Sequence, residues 1–244
     1  MHAHEPQVIE ADLGPGVRAF FTTVAGGVSG AGYASLNLGP ATGDNAEHVQ
    51  VNRTRVAARA GMPVTYATQV HGTDVAHVSG PAFGEECGEY DALVTAERGR
   101  GLAVLVADCV PILLADPAAG VVGAVHAGRR GLGAGILERA LAQMRAAGAR
   151  EVRAVVGPAA CGRCYEVPER LRAEVAAVHP AAWSETSWGT PALDLPGAAE
   201  AVLSDAGVAR ARVHRCTIED PALFSYRRAA GAPTGRSAGV VGLV

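Results

Sequence analysis

Short apolar runs with the character of β-strands crowd the stretch from residue 65 to residue 126. They cover 65–71, 73–79, 91–95, 102–107, 111–115 and 120–126. Segments with helical periodicity are fewer and lie mostly outside this stretch. Strands interleaved with few helices predict a mixed α/β or α+β fold, a single layered domain in which flanking helices cover a large mixed β-sheet.

The segments on either side extend this pattern. Asp44 and Glu47 stand three residues apart, which predicts a capping box for a helix over 46–60. Further strands are predicted at 17–23, 152–157, 211–216 and 238–243, and further helices at 134–147, near 168–178 and near 195–206. No repeat or clear linker divides the chain, and the irregular stretch 180–193 is the only candidate for a domain break. Residues 1–244 are therefore predicted to form one domain.

The charged residues limit the chemistry that this chain can perform. All 21 basic residues are arginine, so Schiff-base chemistry and a P-loop lysine are excluded. A net charge of −3 argues against a nucleic-acid partner. Any bound anion must therefore be held by arginine, backbone amides or a metal ion.

Cysteine usage and the apolar segments indicate the compartment. The five cysteines are an odd number, and the first residues lack the basic and apolar regions of a signal peptide. The most apolar stretch, 101–115, is interrupted by Asp108 and Pro111 and is not a membrane span. We therefore expect a reduced, cytoplasmic protein that does not associate with membranes.

Three residues carry the chemical interpretation: His71, Cys109 and His126. Each closes, or lies just past, a strand-like run, where a side chain can face a pocket at a sheet edge. Two imidazoles and a thiolate can hold a zinc ion with its fourth position open. From spacing alone two alternatives stay open: a Cys–His nucleophile–base pair, or a buried Cys with two hydrogen-bonded core histidines.

Polar residues near these three also have two interpretations each. Asp108 either orients a metal-bound His or serves as a turn carboxylate. The glycine-rich turn after His126, with Arg130, is either an anion cradle at a helix N-terminus or a plain tight turn. Arg53, in the first predicted helix, is either solvated or reaches into a cleft. The Cys161–Cys164 pair is interpreted as loop structure, and 224–228 with 234–236 as a pocket wall or an amphipathic surface.

The ordered motifs resemble those of one known family. They are TQVHG (68–72), DALVT (91–95), ADCVPILLADP (107–117), AVHAGRRG (124–131), VGPAACGRCYEV (156–167), FSYRR (224–228) and TGR (234–236). In this order they resemble the YfiH-type laccase-domain proteins, also called polyphenol oxidase or purine nucleoside phosphorylase-like proteins. The resemblance spans roughly residues 17–243. It departs from the family at Arg129, where the family usually has Trp.

The resemblance implies roles for particular residues. His71, Cys109 and His126 are the expected metal ligands, with zinc favoured over copper. Arg53, Arg130 and Asn37 are expected to bind substrate or phosphate, and Asp108 and Gln69 to support the ligands.

The resemblance also implies an activity on a small-molecule substrate. We expect phosphorolysis of adenosine, inosine and methylthioadenosine, and deamination of adenosine by water activated at zinc. One alternative is a hydrolase that edits peptidoglycan precursors by removing L-Ser from UDP-MurNAc. Others are a copper polyphenol oxidase, which the single His-x-His pair (His2 and His4) disfavours, and a metal-binding partner protein without catalysis. The oligomeric state, monomer or dimer, stays open.

Overall fold

The computed structural model describes residues 5–80 and 85–244, so His2 and His4 lie outside the described residues. The strands of this part of the chain, β1 to β14, are Val8–Glu10, Val17–Thr22, Val64–Thr68, Val75–His77, Glu86–Glu89, Ala92–Thr95, Gly101–Val106, Val110–Asp116, Val121–Ala127, Arg153–Val156, Trp183–Glu185, Pro191–Leu193, Ala209–Arg212 and Ser237–Leu243. The helices, α1 to α6, are Ala46–Ala60, Arg129–Gly133, Ile136–Ala146, Glu169–Val178, Leu195–Asp205 and Tyr226–Ala229.

Most of these strands form two sheets of mixed direction. The first has the spatial order β1-β2-β14-β7-β3-β5, in which β3 runs parallel to β7 and β5 and the other pairs are antiparallel. The second has the order β13-β10-β8-β9-β6-β4, with antiparallel central strands and parallel edge pairs. The chain crosses from the first sheet to the second between β7 and β8, through residues 107–109.

The two sheets share an apolar layer and carry helices on their outer faces. Phe21 and Leu102 of the first sheet belong to the same buried cluster as Leu113 of the second. On the outer face of the first sheet, Val56 of α1 packs in a cluster with strand residues. Leu141 of α3 belongs to the cluster on the outer face of the second sheet, together with residues of α5. The layers therefore run helix, sheet, sheet, helix.

The predicted mixed α/β class is confirmed, with a difference in how the strands are divided. The structure has two six-stranded sheets instead of one large sheet. The reason is visible in β8 and β9, which are buried at every position because one face meets the other sheet and the opposite face meets helices. An unbroken apolar run of this kind does not reveal how many layers cover it.

Several element boundaries differ from those predicted. The cap of α1 is Asn45, whose side chain accepts a hydrogen bond from the Glu47 amide at 2.8 Å. Asp44 instead accepts hydrogen bonds from Ser29 and Asn37, so the predicted capping box is wrong. β3 ends at Thr68 and β13 at Arg212, which leaves 69–71 and 213–216 in loops, and the segment 180–193 contains the β11–β12 hairpin.

None of the helices in the described ranges combines the length and the apolar character that a membrane crossing requires.

Candidate metal centre and cavity

His71, Cys109 and His126 meet where the two sheets adjoin. His71 lies in the loop after β3, Cys109 in the crossing between β7 and β8, and His126 near the end of β9. One ligand atom of each side chain lies within 4.8 Å of those of the other two. Cys109 Sγ is 3.7 Å from His71 Nε2, and the two imidazole rings have centroids 4.9 Å apart with planes at 84°.

A buried carboxylate, that of Asp91, fixes His126. Asp91 directly precedes β6, and the pairing of β6 with β9 places it opposite His126. Its Oδ1 atom lies 2.7 Å from His126 Nδ1, and its main-chain carbonyl accepts a hydrogen bond from the His126 amide at 2.8 Å. When Nδ1 carries the proton for this bond, Nε2 is free as a metal ligand.

Asp91 also holds the loop that carries His71. Its carboxylate accepts hydrogen bonds from the amides of Val70, His71 and Gly72 at 3.2, 3.0 and 2.6 Å. His71 has φ of 60°, a left-handed conformation that is costly for a residue with a side chain. The bonds to Asp91 therefore stabilise an otherwise unfavourable loop conformation.

Cys109 is held by its neighbour Asp108. Asp108 is left-handed at φ of 95°, and its carboxylate accepts hydrogen bonds from Thr217 Oγ1 at 2.6 Å and from the Arg227 amide at 2.7 Å. Its carbonyl accepts a third from the Ala160 amide at 3.0 Å. These contacts fix the sharp turn on which Cys109 sits.

The protonation equilibria of Cys109 and His126 are coupled. Burial disfavours the Cys109 thiolate, but contacts with His126 and His71 outweigh it and lower the pKa of the thiol to about 6. Burial likewise disfavours protonated His126, yet Asp91 and Cys109 raise the pKa of the imidazole to about 9. Without a metal, the two groups thus favour a thiolate–imidazolium pair near neutral pH.

The three side chains fit a metal ion in both chemistry and spacing. In a tetrahedral zinc site, sulfur and nitrogen ligands at about 2.3 and 2.0 Å from the metal are about 3.5 Å apart. The distance of 3.7 Å between Cys109 Sγ and His71 Nε2 is close to this separation. Two imidazoles and a thiolate also leave one coordination position for other groups.

A cavity of about 560 Å³ opens at this cluster and has a mixed polar and apolar wall. Tyr165 and Tyr226 contribute aromatic rings, and Arg53, Arg227 and Arg236 contribute guanidinium groups. Arg236 donates to the carbonyls of Thr234 and Gly235, and Arg227 to that of Glu166. Among the described residues, no carboxylate forms an ion pair with either of these two arginines.

The residues proposed for substrate binding occupy different positions. Arg53 lines the cavity, is 6% exposed, and donates to Leu38 O and to Glu86 at 2.5 Å, while its second terminal nitrogen has no hydrogen-bond partner in the described structure. Asn37 is buried and bonds to Thr42 and Asp44, outside the cavity lining. Arg130 is exposed on α2 and is also outside that lining.

The two residues proposed to support the ligands contact the loops that carry them and not the ligand side chains themselves. Gln69 exchanges hydrogen bonds with the main chain of Leu105, joining the His71 loop to β7. Asp108 binds Thr217 and Arg227, as described above, whereas the carboxylate on a ligand imidazole is that of Asp91. Asp91 opens the DALVT motif, and its only sequence signal is an acidic residue directly before a buried strand.

Gly128, which follows β9, allows the ligands to approach one another. A Cβ atom at this position would lie 2.7 Å from His71 Cδ2 and 3.3 Å from Cys109 Sγ. Its φ of −76° is open to any residue, so the requirement for glycine is steric. This explains physically why a glycine stands two residues after His126.

Comparisons with known proteins agree with this architecture. A family model described as multi-copper polyphenol oxidoreductase laccase matches residues 18–244. Purine nucleoside phosphorylase ORF3 of Streptomyces griseus is 54% identical over 230 residues, which cover 91% of this chain and 93% of that protein. The crystal structure of Bacillus licheniformis hypothetical protein YfiH is similar with a TM-score of 0.88 and 30% identity, covering 98% of this chain and 97% of that one. YlmD from Geobacillus stearothermophilus has a TM-score of 0.84 and 35% identity, with 98% of each chain covered.

Proposed function

Because the chain belongs to the YfiH-type laccase-domain family, we propose that it is a zinc-dependent purine nucleoside phosphorylase. The proposed substrates are adenosine, inosine and methylthioadenosine, with deamination of adenosine as a second activity of the same site. The observation that carries this proposal is the convergence of His71, Cys109 and His126 beside a cavity lined by arginines and tyrosines. Relatives named purine nucleoside phosphorylase support the choice of substrate.

The size and wall of the cavity suit a nucleoside together with phosphate. Its volume of about 560 Å³ lies within the usual range of small-molecule sites, about 300–1,000 Å³. Tyr165 and Tyr226 offer aromatic surface against which a purine can stack. Arg236 and Arg227, which form no ion pair with a carboxylate in the described ranges, offer donors for phosphate.

In the proposed reaction an oxygen of phosphate forms a bond to C1′ of the ribose while the bond from C1′ to the purine nitrogen breaks. The bonding electrons leave with the base, which takes up a proton. The products are the free purine and ribose 1-phosphate, or 5-methylthioribose 1-phosphate when the substrate is methylthioadenosine. The arginines hold the phosphate dianion next to the sugar and so reduce the entropic cost of the encounter. A zinc ion held by His71, Cys109 and His126 supplies Lewis acidity beside the reacting groups.

The chain's own residues prepare the ligands for this role. Asp91 holds the Nδ1 proton of His126 and orients its ring, and the same carboxylate fixes the His71 loop. Asp108 fixes the turn that carries Cys109. None of the five cysteines forms a disulfide in the structure, which supports our proposal that the protein works in the reducing cytoplasm.

The assay that tests the proposal offers purified protein each nucleoside with and without phosphate, followed by chromatography of the products. Equal amounts of the purine and the corresponding sugar 1-phosphate, formed only with phosphate, are the expected result. Inosine formed from adenosine supports the second activity. If serine is released from UDP-MurNAc-L-Ser while all nucleosides stay intact, the proposal is wrong and the function is the editing of peptidoglycan precursors. Zinc-loaded protein that turns over none of these would replace it by a binding role.

A further inference from the structure

A second group of metal-binding side chains lies outside the cavity. Cys161, Cys164, Cys216 and Glu219 each place one ligand atom within 4.8 Å of those of the other three. Cys164 and Cys216 are buried, Cys161 is half-buried and Glu219 is exposed. None of the four lines the cavity beside Cys109.

The first two cysteines are arranged by a tight turn. The Cys164 and Tyr165 amides both donate to the Cys161 carbonyl, at 3.0 and 2.9 Å, which folds the intervening residues back on themselves. Gly162 is required in this turn, because a Cβ there would lie 2.6 Å from Ser184 Oγ and 2.7 Å from Asp194 Cβ. The backbone of the turn alone therefore places the two thiols on the same side, and no metal ion is needed to arrange them.

The other two ligands come from a separate loop more than 50 residues later in the chain. Cys216 is joined to the first loop by a bridge with Ala159, and its Sγ accepts a hydrogen bond from the Cys161 amide at 3.4 Å. The Asp220 amide donates to the Cys216 carbonyl at 2.9 Å, and the resulting turn carries Glu219. Cys164 Sγ lies 3.3 Å from Glu219 Oε1.

We propose that Cys161, Cys164, Cys216 and Glu219 form a structural zinc site, distinct from the centre at Cys109. Three thiolates and a carboxylate complete a tetrahedral shell with no open position, which is the pattern of structural zinc. A sulfur and an oxygen at about 2.3 and 2.0 Å from zinc are about 3.5 Å apart, close to the 3.3 Å between Cys164 and Glu219. The exposed carboxylate also provides a path for the ion to enter.

The proposed zinc would tie together the two loops that support the first centre. Thr217, next to Cys216, donates to the Asp108 carboxylate, and Ala160, next to Cys161, donates to the Asp108 carbonyl. Asp108 in turn carries Cys109. A cross-link between the loops therefore stabilises the turn on which a ligand of the first centre sits.

Zinc content per chain is the direct test. The full chain is produced with zinc supplied, purified under reducing conditions and analysed by mass spectrometry of the metal. We expect two zinc ions in the unmodified protein and in Cys87→Ser, whose half-buried thiol lies outside the cluster. We expect one in Cys109→Ser and one in the double variant Cys164→Ser/Cys216→Ser. One zinc in the unmodified protein, with none left in Cys109→Ser, would overturn the proposal.

A second measurement does not depend on changing buried cysteines. Cobalt(II) added to zinc-free Cys109→Ser protein should bind one equivalent and give the intense sulfur-to-metal absorption of a site with three thiolates. Glu219→Gln in the same background should release cobalt to a chelator at least tenfold faster. Absence of the sulfur-to-metal absorption would contradict the site. A disulfide among Cys161, Cys164 and Cys216 in protein that has not been exposed to an oxidant would contradict it as well.

Discussion

The Asp91 carboxylate accepts a hydrogen bond from Nδ1 of His126 at 2.7 Å, and the same carboxylate anchors the backbone of the loop that carries His71. One buried acidic group thus connects two candidate metal ligands that are carried by different sheets. Burial disfavours its charged form, yet the hydrogen bonds from His126, Gly72 and Val70 outweigh burial and lower the pKa of Asp91. The carboxylate is therefore ionised at neutral pH.

Asp91→Asn should weaken metal binding at the first centre by about 10- to 100-fold, the usual effect of losing the partner of a ligand imidazole. The amide cannot accept from all four donors, so we also expect the free energy of unfolding to fall by about 1–3 kcal/mol. Competition with a chelator and urea unfolding measure the two effects.

Asp116→Asn is the matched control for this variant. Asp116 is also buried and accepts from the amides of Ala119, Arg150 and Glu151, but it lies at the end of β8 away from the ligands. Its replacement should lower stability and leave metal affinity unchanged. Equal metal affinities in the two variants would remove the special role of Asp91.

Gly128→Ala should disturb the metal centre with little effect on the fold. The added methyl group would lie 2.7 Å from the His71 ring, so the ring must move, and overpacking of this kind costs about 1–3 kcal/mol. We expect at least a tenfold loss of metal affinity. Gly133→Ala, where a Cβ meets no atom within 4 Å, should bind metal normally. Indistinguishable chelator titrations for the two variants would refute the steric argument.

Cys109 should be the most reactive thiol of the metal-free protein. As pH rises through its pKa of about 6, the thiol becomes a thiolate, whereas burial and Glu86 raise the pKa of Cys87 to about 11. Lowering the pH from 7 to 5 should therefore slow alkylation of Cys109 by about tenfold. Peptide mass spectrometry after iodoacetamide treatment measures the rate. A pH profile of the alkylation rate with its midpoint near pH 9 would contradict this expectation. So would an alkylation rate of Cys109 that stays the same after metal is added.

Arg236→Ala should raise the KM for phosphate by about tenfold or more, equivalent to about 1.4 kcal/mol, if this guanidinium binds the anion. Arg170→Ala is the control, because Arg170 is a solvent-exposed residue of α4 that pairs with Glu174. The two variants are compared by initial rates, measured at varied phosphate concentration and saturating nucleoside. An unchanged phosphate dependence in Arg236→Ala would exclude this arginine as the phosphate ligand.

Much of this arrangement can be predicted from the sequence, and the limits have physical causes. The trio of His71, Cys109 and His126 is predicted by the resemblance of the ordered motifs, because spacing alone leaves other interpretations open. In the structure His126 lies in β9, whereas His71 and Cys109 lie in loops. Asp91 escapes prediction because its role depends on the β6–β9 pairing, a contact between residues 35 positions apart. Arg130 stands in the motif, which predicts a place at the substrate. In the structure it is exposed on α2, outside the cavity lining, and its role stays a prediction.

The second thiolate cluster shows the same limit. Cys161 and Cys164 are recognisable as a pair, but the third thiol belongs to Cys216, 52 residues further along the chain than Cys164. The bridge between Ala159 and Cys216, together with the hydrogen bond from the Cys161 amide to Cys216 Sγ, brings them together. Long-range pairing of this kind has no local sequence pattern, so a C-x-x-C alone predicts loop structure as readily as a metal site.

The central claim is that one metal ion, held by His71, Cys109 and His126, is required for phosphorolysis. It is tested most directly by measuring zinc content and phosphate-dependent release of adenine from adenosine in the same preparations of unmodified protein and Cys109→Ala. We predict that the variant loses one zinc ion per chain and at least about 100-fold in rate, in keeping with the several kcal/mol that a metal contributes to such a transition state. A variant that retains the zinc of the unmodified protein, and its rate of adenine release, would contradict the account.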